Sequence, residues 1–151
     1  MADGGRPVVV VGVDGSAGAD AALRYAVAEA HRRGGHVLAV TACDSPDLAL
    51  VDFEAYRTDP EKVRASAEER ARQHVDEVLA AADGDRDVDV EVRARLGGAV
   101  GVLTGAGEGA ALLVVGHRGR GAFRSTAFGS VGTGCVLHAP CAVTVVPAPT
   151  P

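Results

Sequence analysis

Aromatic residues are scarce in this chain: 3% of 151 residues, with no tryptophan. Its core must therefore be built from alanine, valine and leucine, as helices packed on a valine-rich sheet would be. Lysine occurs once, at Lys62, and the formal net charge is -5. That balance excludes a basic face able to neutralise a nucleic-acid backbone. It also removes the lysine that a GxxxxGK[ST] phosphate loop requires. The three cysteines, Cys43, Cys135 and Cys141, are odd in number and form no CxxC pair. They read as free thiols of a reducing compartment, with Cys135 and Cys141 as core thiols. The five histidines make no HxxxH or HxxEH arrangement, so no metal site is expected. Apolar runs such as AALLVV are far too short to span a bilayer, and the start MADGGRPVVVVG lacks the plan of a signal peptide. A soluble, cytoplasmic protein of one domain is the expectation, with an ordered core over about 6–147.

What is present is an alternation of strand and helix patterns. Residues 7–13, PVVVVGV, read as a strand buried on both faces, the mark of a parallel sheet. DGSAGAD follows, with Asp14 and Ser16 both able to cap a helix. Over 18–33 an apolar face runs through Ala22, Leu23, Ala26, Val27 and Ala30, and Gly34 and Gly35 stop the helix. A strand is predicted at 36–42, then an irregular connection at 43–58. A helix opens at Asp59-Pro60-Glu61 and runs to about 82. Further elements are a more exposed strand at 88–94, a glycine-bearing helix at 98–109, a buried strand at 111–116, a short helix from near Gly129 and a strand at 141–146. This order predicts an α/β fold: a five-stranded, parallel, doubly wound Rossmann-like sheet with right-handed crossovers. Ligands of such sheets lie at the carboxyl ends of the strands, where the order reverses.

Two loops leave such ends, one after strand one at Asp14 and one after strand four, from Gly116 to Gly129. Residues 114–132, VVGHRGRGAFRSTAFGSVG, contain five glycines and three arginines. Glycines let backbone N–H groups approach phosphate oxygens closely. The N–H groups of Ser130, Val131 and Gly132 open the following helix and would face an anion, aided by the helix dipole. The Ser130 hydroxyl would donate to phosphate or cap the helix. Arg118, Arg120 and Arg124 would offset charge or lie solvated in the loop. His117, in the same loop, is a candidate general base.

The spacing G-x2-G-x9-G-S over 116–130, the start VVGVDGS and the end GSV…LHAPCAVTVVP resemble the nucleotide-binding branch of the universal stress protein family, over essentially the whole chain. The resemblance implies ATP in the switch-point cleft, accompanied by Mg²⁺. By position, Asp14 would bind the ribose and adenine side, and Ala42 would meet adenine through its backbone. Gly116, Gly119, Gly129, Ser130 and Val131 would hold the phosphates, with Arg118 beside them. It also implies a homodimer through the last strand, with Val143 and Val145 as contacts. Two departures stand out: Ala111 where the family often has Asp, and Gly132 and Gly134 early in the last helix. An interior helix glycine costs roughly 1 kcal/mol relative to alanine, so a looser helix and weaker phosphate binding are expected. A regulatory ATP-binding module with little or slow hydrolysis is the leading reading. An enzyme acting on the α-phosphate of ATP and a nucleotide-free dimer are the alternatives.

Overall fold

The computed structural model describes residues 5–43, 59–82, 87–117 and 129–149. The elements alternate throughout: β1 (Val8–Gly12), α1 (Ala17–Arg33), β2 (His36–Cys43), α2 (Pro60–Ala81), β3 (Val90–Leu96), α3 (Ala99–Ala106), β4 (Leu112–Gly116), α4 (Ser130–His138) and β5 (Val143–Val146). All strand pairs are parallel, in the order β3-β2-β1-β4-β5. The expected five-stranded doubly wound sheet is thus the observed one.

Alternation along β1 divides the core in two. Val9 and Val11 face a cluster with Ala22, Leu23, Ala26 and Ala30 of α1 and Val75 of α2. Val10 faces the opposite cluster, with Val102 and Leu103 of α3 and Cys135 of α4. Successive side chains of a strand point to opposite faces, so a valine run suits a sheet covered on both sides. Small alanines let α1 lie close to the sheet, and Gly34 in the left-handed conformation (φ 65°) ends that helix.

Element edges differ from the sequence expectation by one to three residues. β3 runs from Val90 to Leu96 and not over 88–94, because its ladder to β2 continues as far as Cys43↔Leu96. α3 stops at Ala106, short of the expected 109, with Gly107 as its C-cap. β5 begins at Val143, two residues beyond the predicted start and three beyond Pro140.

β3 is an outer strand, and α2 guards it. The Ala94 N–H donates to Glu68 Oε2 at 3.0 Å, and Arg64 Nη1 donates to the Ala94 carbonyl at 3.4 Å. Arg64 and Glu68 are themselves joined at 2.6 Å. An ion pair therefore occupies backbone groups that would otherwise template another strand. A second tie, His74 Nε2 to Asp20 Oδ1 at 2.7 Å, joins α2 to α1.

The Ala94 N–H holds the Glu68 carboxyl below the usual carboxylate range, and Arg64 adds to the effect. A depressed carboxylate contributes stability above its unfolded pKa, about 4.3 for Glu, and loses it as pH falls through the folded value. Glu68→Gln should lower stability near pH 7 by about 1 to 2 kcal/mol, the worth of a hydrogen bond to a charged group. The gap between wild type and variant should close between about pH 5 and pH 3, measured by urea unfolding at each pH.

Candidate functional site

The chain winds from β1 to β2 on one side and enters β4 on the other, so the order reverses between β1 and β4. The crevice outside their carboxyl ends is the switch point of the sheet. Two turns meet there: Val13–Ser16 after β1, and His117 with Gly129 after β4.

The first turn is locally determined. Asp14 Oδ1 accepts from the Ser16 N–H at 2.9 Å, an Asx turn. Ser16 is the N-cap, and its hydroxyl oxygen accepts from the Ala19 N–H at 3.2 Å. The sequence left Asp14 and Ser16 as alternative caps; the structure divides the work, with Asp14 holding the turn and Ser16 capping. The Val13 N–H donates to the Val40 carbonyl at 2.9 Å, which places Asp14 just beyond the sheet, exposed to solvent. Ala42, one residue before the end of β2, is half-buried and packs against the second core cluster.

The second turn is closed by its own ends. The His117 N–H donates to the Val146 carbonyl at 2.6 Å, and the His117 carbonyl accepts from the Gly129 N–H at 2.8 Å. The chain thus leaves β4 and re-enters at α4 across one hydrogen bond. Arg118, Gly119, Arg120 and Arg124 belong to the stretch between and lie outside the described residues. Gly129, buried, is the N-cap of α4 and makes no side-chain cap bond. Ser130 is the first helical residue and is exposed; the cap position is not its own. Val131 is half-buried against the second cluster. One turn into the helix, the Thr133 hydroxyl donates to the Gly129 carbonyl at 3.2 Å. The crevice therefore faces two unlike helix starts: α1 is satisfied by Ser16, while α4 presents its first turn with no N-cap side chain upon it.

Gly116 is a glycine for a packing reason. A Cβ there would lie 2.7 Å from the Gly18 carbonyl carbon, 2.8 Å from its oxygen and 3.0 Å from the Ala19 nitrogen. The first turn of α1 rests directly on the end of β4. Gly18 is the partner the sequence analysis did not single out. Its signal was a glycine inside a predicted helix, where glycine is a poor choice; in the fold it is buried.

The remaining features lie elsewhere. Burial pushes the Cys135 thiol up to about 11, with Cys141 nearby adding to it, and burial raises Cys141 as well. Thiols so shifted are protonated at neutral pH and are not nucleophiles. A cleft of about 340 Å³ lies between the end of β3 and α3, lined by Arg95, Leu96, Gly98, Gly101 and Gly105 among others. Among the described residues no group of three or more His, Cys, Asp or Glu is arranged to hold a metal ion, and no helix is long and apolar enough to cross a membrane.

The profile of the Universal stress protein family matches residues 6–147. Among curated proteins none matches the chain in sequence. Solved structures do match. Universal stress protein UspA from Lactobacillus plantarum is 25% identical, with 93% of this chain and 97% of that one covered and a TM-score of 0.69. A universal stress protein in complex with cAMP is 21% identical, covering 95% and 98%, at a TM-score of 0.63. The Archaeoglobus fulgidus universal stress protein in complex with dAMP is 23% identical, covering 93% and 96%, at 0.52.

Opposite signs are expected for two glycine-to-alanine changes. Gly116→Ala should destabilise by about 1–3 kcal/mol, because backbone must shift to admit the methyl group. Gly101→Ala, where a Cβ meets nothing within 4 Å, should stabilise α3 by up to about 1 kcal/mol. Thermal melts of the two variants beside wild type check both.

Proposed function

Because the chain belongs to the universal stress protein family, we propose that it binds ATP with Mg²⁺ in the crevice between β1 and β4 and acts as a nucleotide-dependent regulator in the stress response. The observation that carries this reading is the start of α4. Its first-turn N–H groups have no N-cap side chain, and they open beside the end of β4. An uncapped helix start with an exposed hydroxyl fits a phosphate in three ways: N–H donors, a favourable dipole and a donor side chain. Solved relatives in complex with cAMP and dAMP support an adenine nucleotide as the ligand class.

In this assignment Ser130 and the backbone of Gly129 and Val131 hold phosphate oxygens. Gly119 and Arg118 complete the cradle from residues outside those described. Gly116 shapes the floor, where a side chain is already forbidden. Asp14 faces the ribose and adenine side, and Ala42 meets adenine through its main chain. Mg²⁺ is held chiefly by the phosphates, with Asp14 an indirect contact. The His117 backbone is committed on both sides to Val146 and Gly129, which fixes the entrance of the loop. Hydrolysis is slow, as there is no lysine for the γ-phosphate. The whole chain works as one cytoplasmic domain. It pairs with a second copy through β5, an outer strand on which Val143 and Val145 are half-buried.

The purified protein, denatured and run on ion-pairing chromatography, is expected to release ATP near one per chain. If it is empty, ATP with Mg²⁺ should give saturable heat on calorimetric titration. Ser130→Ala should weaken that binding about tenfold, one hydrogen bond to a charged group. Absence of both bound nucleotide and heat at millimolar ATP would refute the assignment. Release of AMP and pyrophosphate on incubation would instead make the protein an enzyme acting at the α-phosphate. Sedimentation of wild type beside Val145→Asp tests the pairing: a dimer is expected for the first and a monomer for the second.

A further inference from the structure

We propose that Val100 on α3 and Gly134 on α4 form a positioning pair that sets the seat of the phosphate-binding helix, an inference that rests on the nucleotide site placed at the start of α4. Gly134 lies one turn below Ser130, about 6 Å along the helix. A Cβ on it would stand 2.6 Å from Val100 Cγ2 and 2.9 Å from Val100 Cγ1. Both branches of the valine therefore occupy the space a side chain would need. Valine in a helix is stiff about its first torsion and cannot swing clear. Any side chain at 134 must move α4 away from α3.

The contact is placed to matter. Val100 is the second residue of α3, which packs through Val102 and Leu103 into the same core cluster as Cys135 of α4. Gly132, on the same turn, is buried. Gly134, which the sequence marks as a weak point, is thus a site of close packing. α4 has nine residues, so a displacement at Gly134 is carried directly to the N–H groups of Ser130 and Val131. Hydrogen bonds to phosphate need a short donor–acceptor distance and a near-linear approach, and they weaken steeply when the donor is tilted away. Close packing has become a requirement of ligand geometry as well as of the core.

The test is calorimetric titration of ATP with Mg²⁺ into folded protein, its fold checked by far-UV circular dichroism. Gly134→Ala should weaken binding at least tenfold, although alanine is the better helix former. Gly134→Ala combined with Val100→Ala should recover affinity to within about threefold of wild type, since the valine branches that meet the new methyl group are gone. Val100→Ile loads the same contact from the α3 side and should also weaken binding. Gly101→Ala, on the open face of α3, should leave affinity unchanged. Equal affinity in wild type and Gly134→Ala would overturn the pair, as would a double variant no better than Gly134→Ala. If Gly134→Ala does not fold, Val100→Ile decides alone, and wild-type affinity in that variant overturns the pair. A wild-type protein that takes up no ATP would sink the nucleotide assignment itself, a result separate from these.

Discussion

The arrangement depends on one contact between backbones. The end of β4 at Gly116 meets the first turn of α1 at Gly18, with no side chain between them. α1 follows β1, and β1 neighbours β4, so this contact closes the corner where the sheet reverses its winding. Were the two held apart by even a methyl group, the Asx turn of Asp14 and the start of α4 would not share a crevice at their present separation. The glycines of this region therefore have two separable duties. One, shown at Gly116, is to keep a helix and a strand close; the other, in the function proposed above, is to leave backbone N–H groups open to a ligand.

The helix starts show how local chemistry is apportioned. Ser16 and Asp59 satisfy the first turns of α1 and α2 with their own side-chain oxygens. Gly98 and Gly129, the N-caps of α3 and α4, have no such oxygen to give. A helix start with glycine at the cap gives up about a few tenths of a kcal/mol relative to a good side-chain cap. At α4 that loss leaves donors directed at the place where a doubly wound sheet receives its ligand.

The order of elements was legible in the sequence because each kind of run has a distinct physical origin. The run PVVVVGV read as a buried strand of a parallel sheet, ALLVVG as a buried strand and the alternating segment at 88–94 as a more exposed one, and their burial in the fold agrees. The pairing of Pro60 with Asp59 announced α2 to the residue. What the sequence could not disclose was long-range. β3 extends to Leu96 only because β2 runs beside it to Cys43. Gly18 and Gly134 looked like unremarkable or harmful helix residues, since their partners, Gly116 and Val100, lie 98 and 34 positions away along the chain. A propensity scale counts such glycines as losses, while the packed structure counts them as clearances.

The two outer strands of the sheet are finished differently, and this bears on how copies of the chain can add together. At β3, Glu68 and Arg64 already hold the main chain of Ala94. At β5, the half-buried Val143–Val146 strand ends the sheet. Two chains meeting edge to edge at β5 would turn their β3 edges outward, each closed by its own ion pair. Such an assembly is self-limiting: it terminates at two, and the route by which stacked sheets lengthen into filaments is shut at both ends.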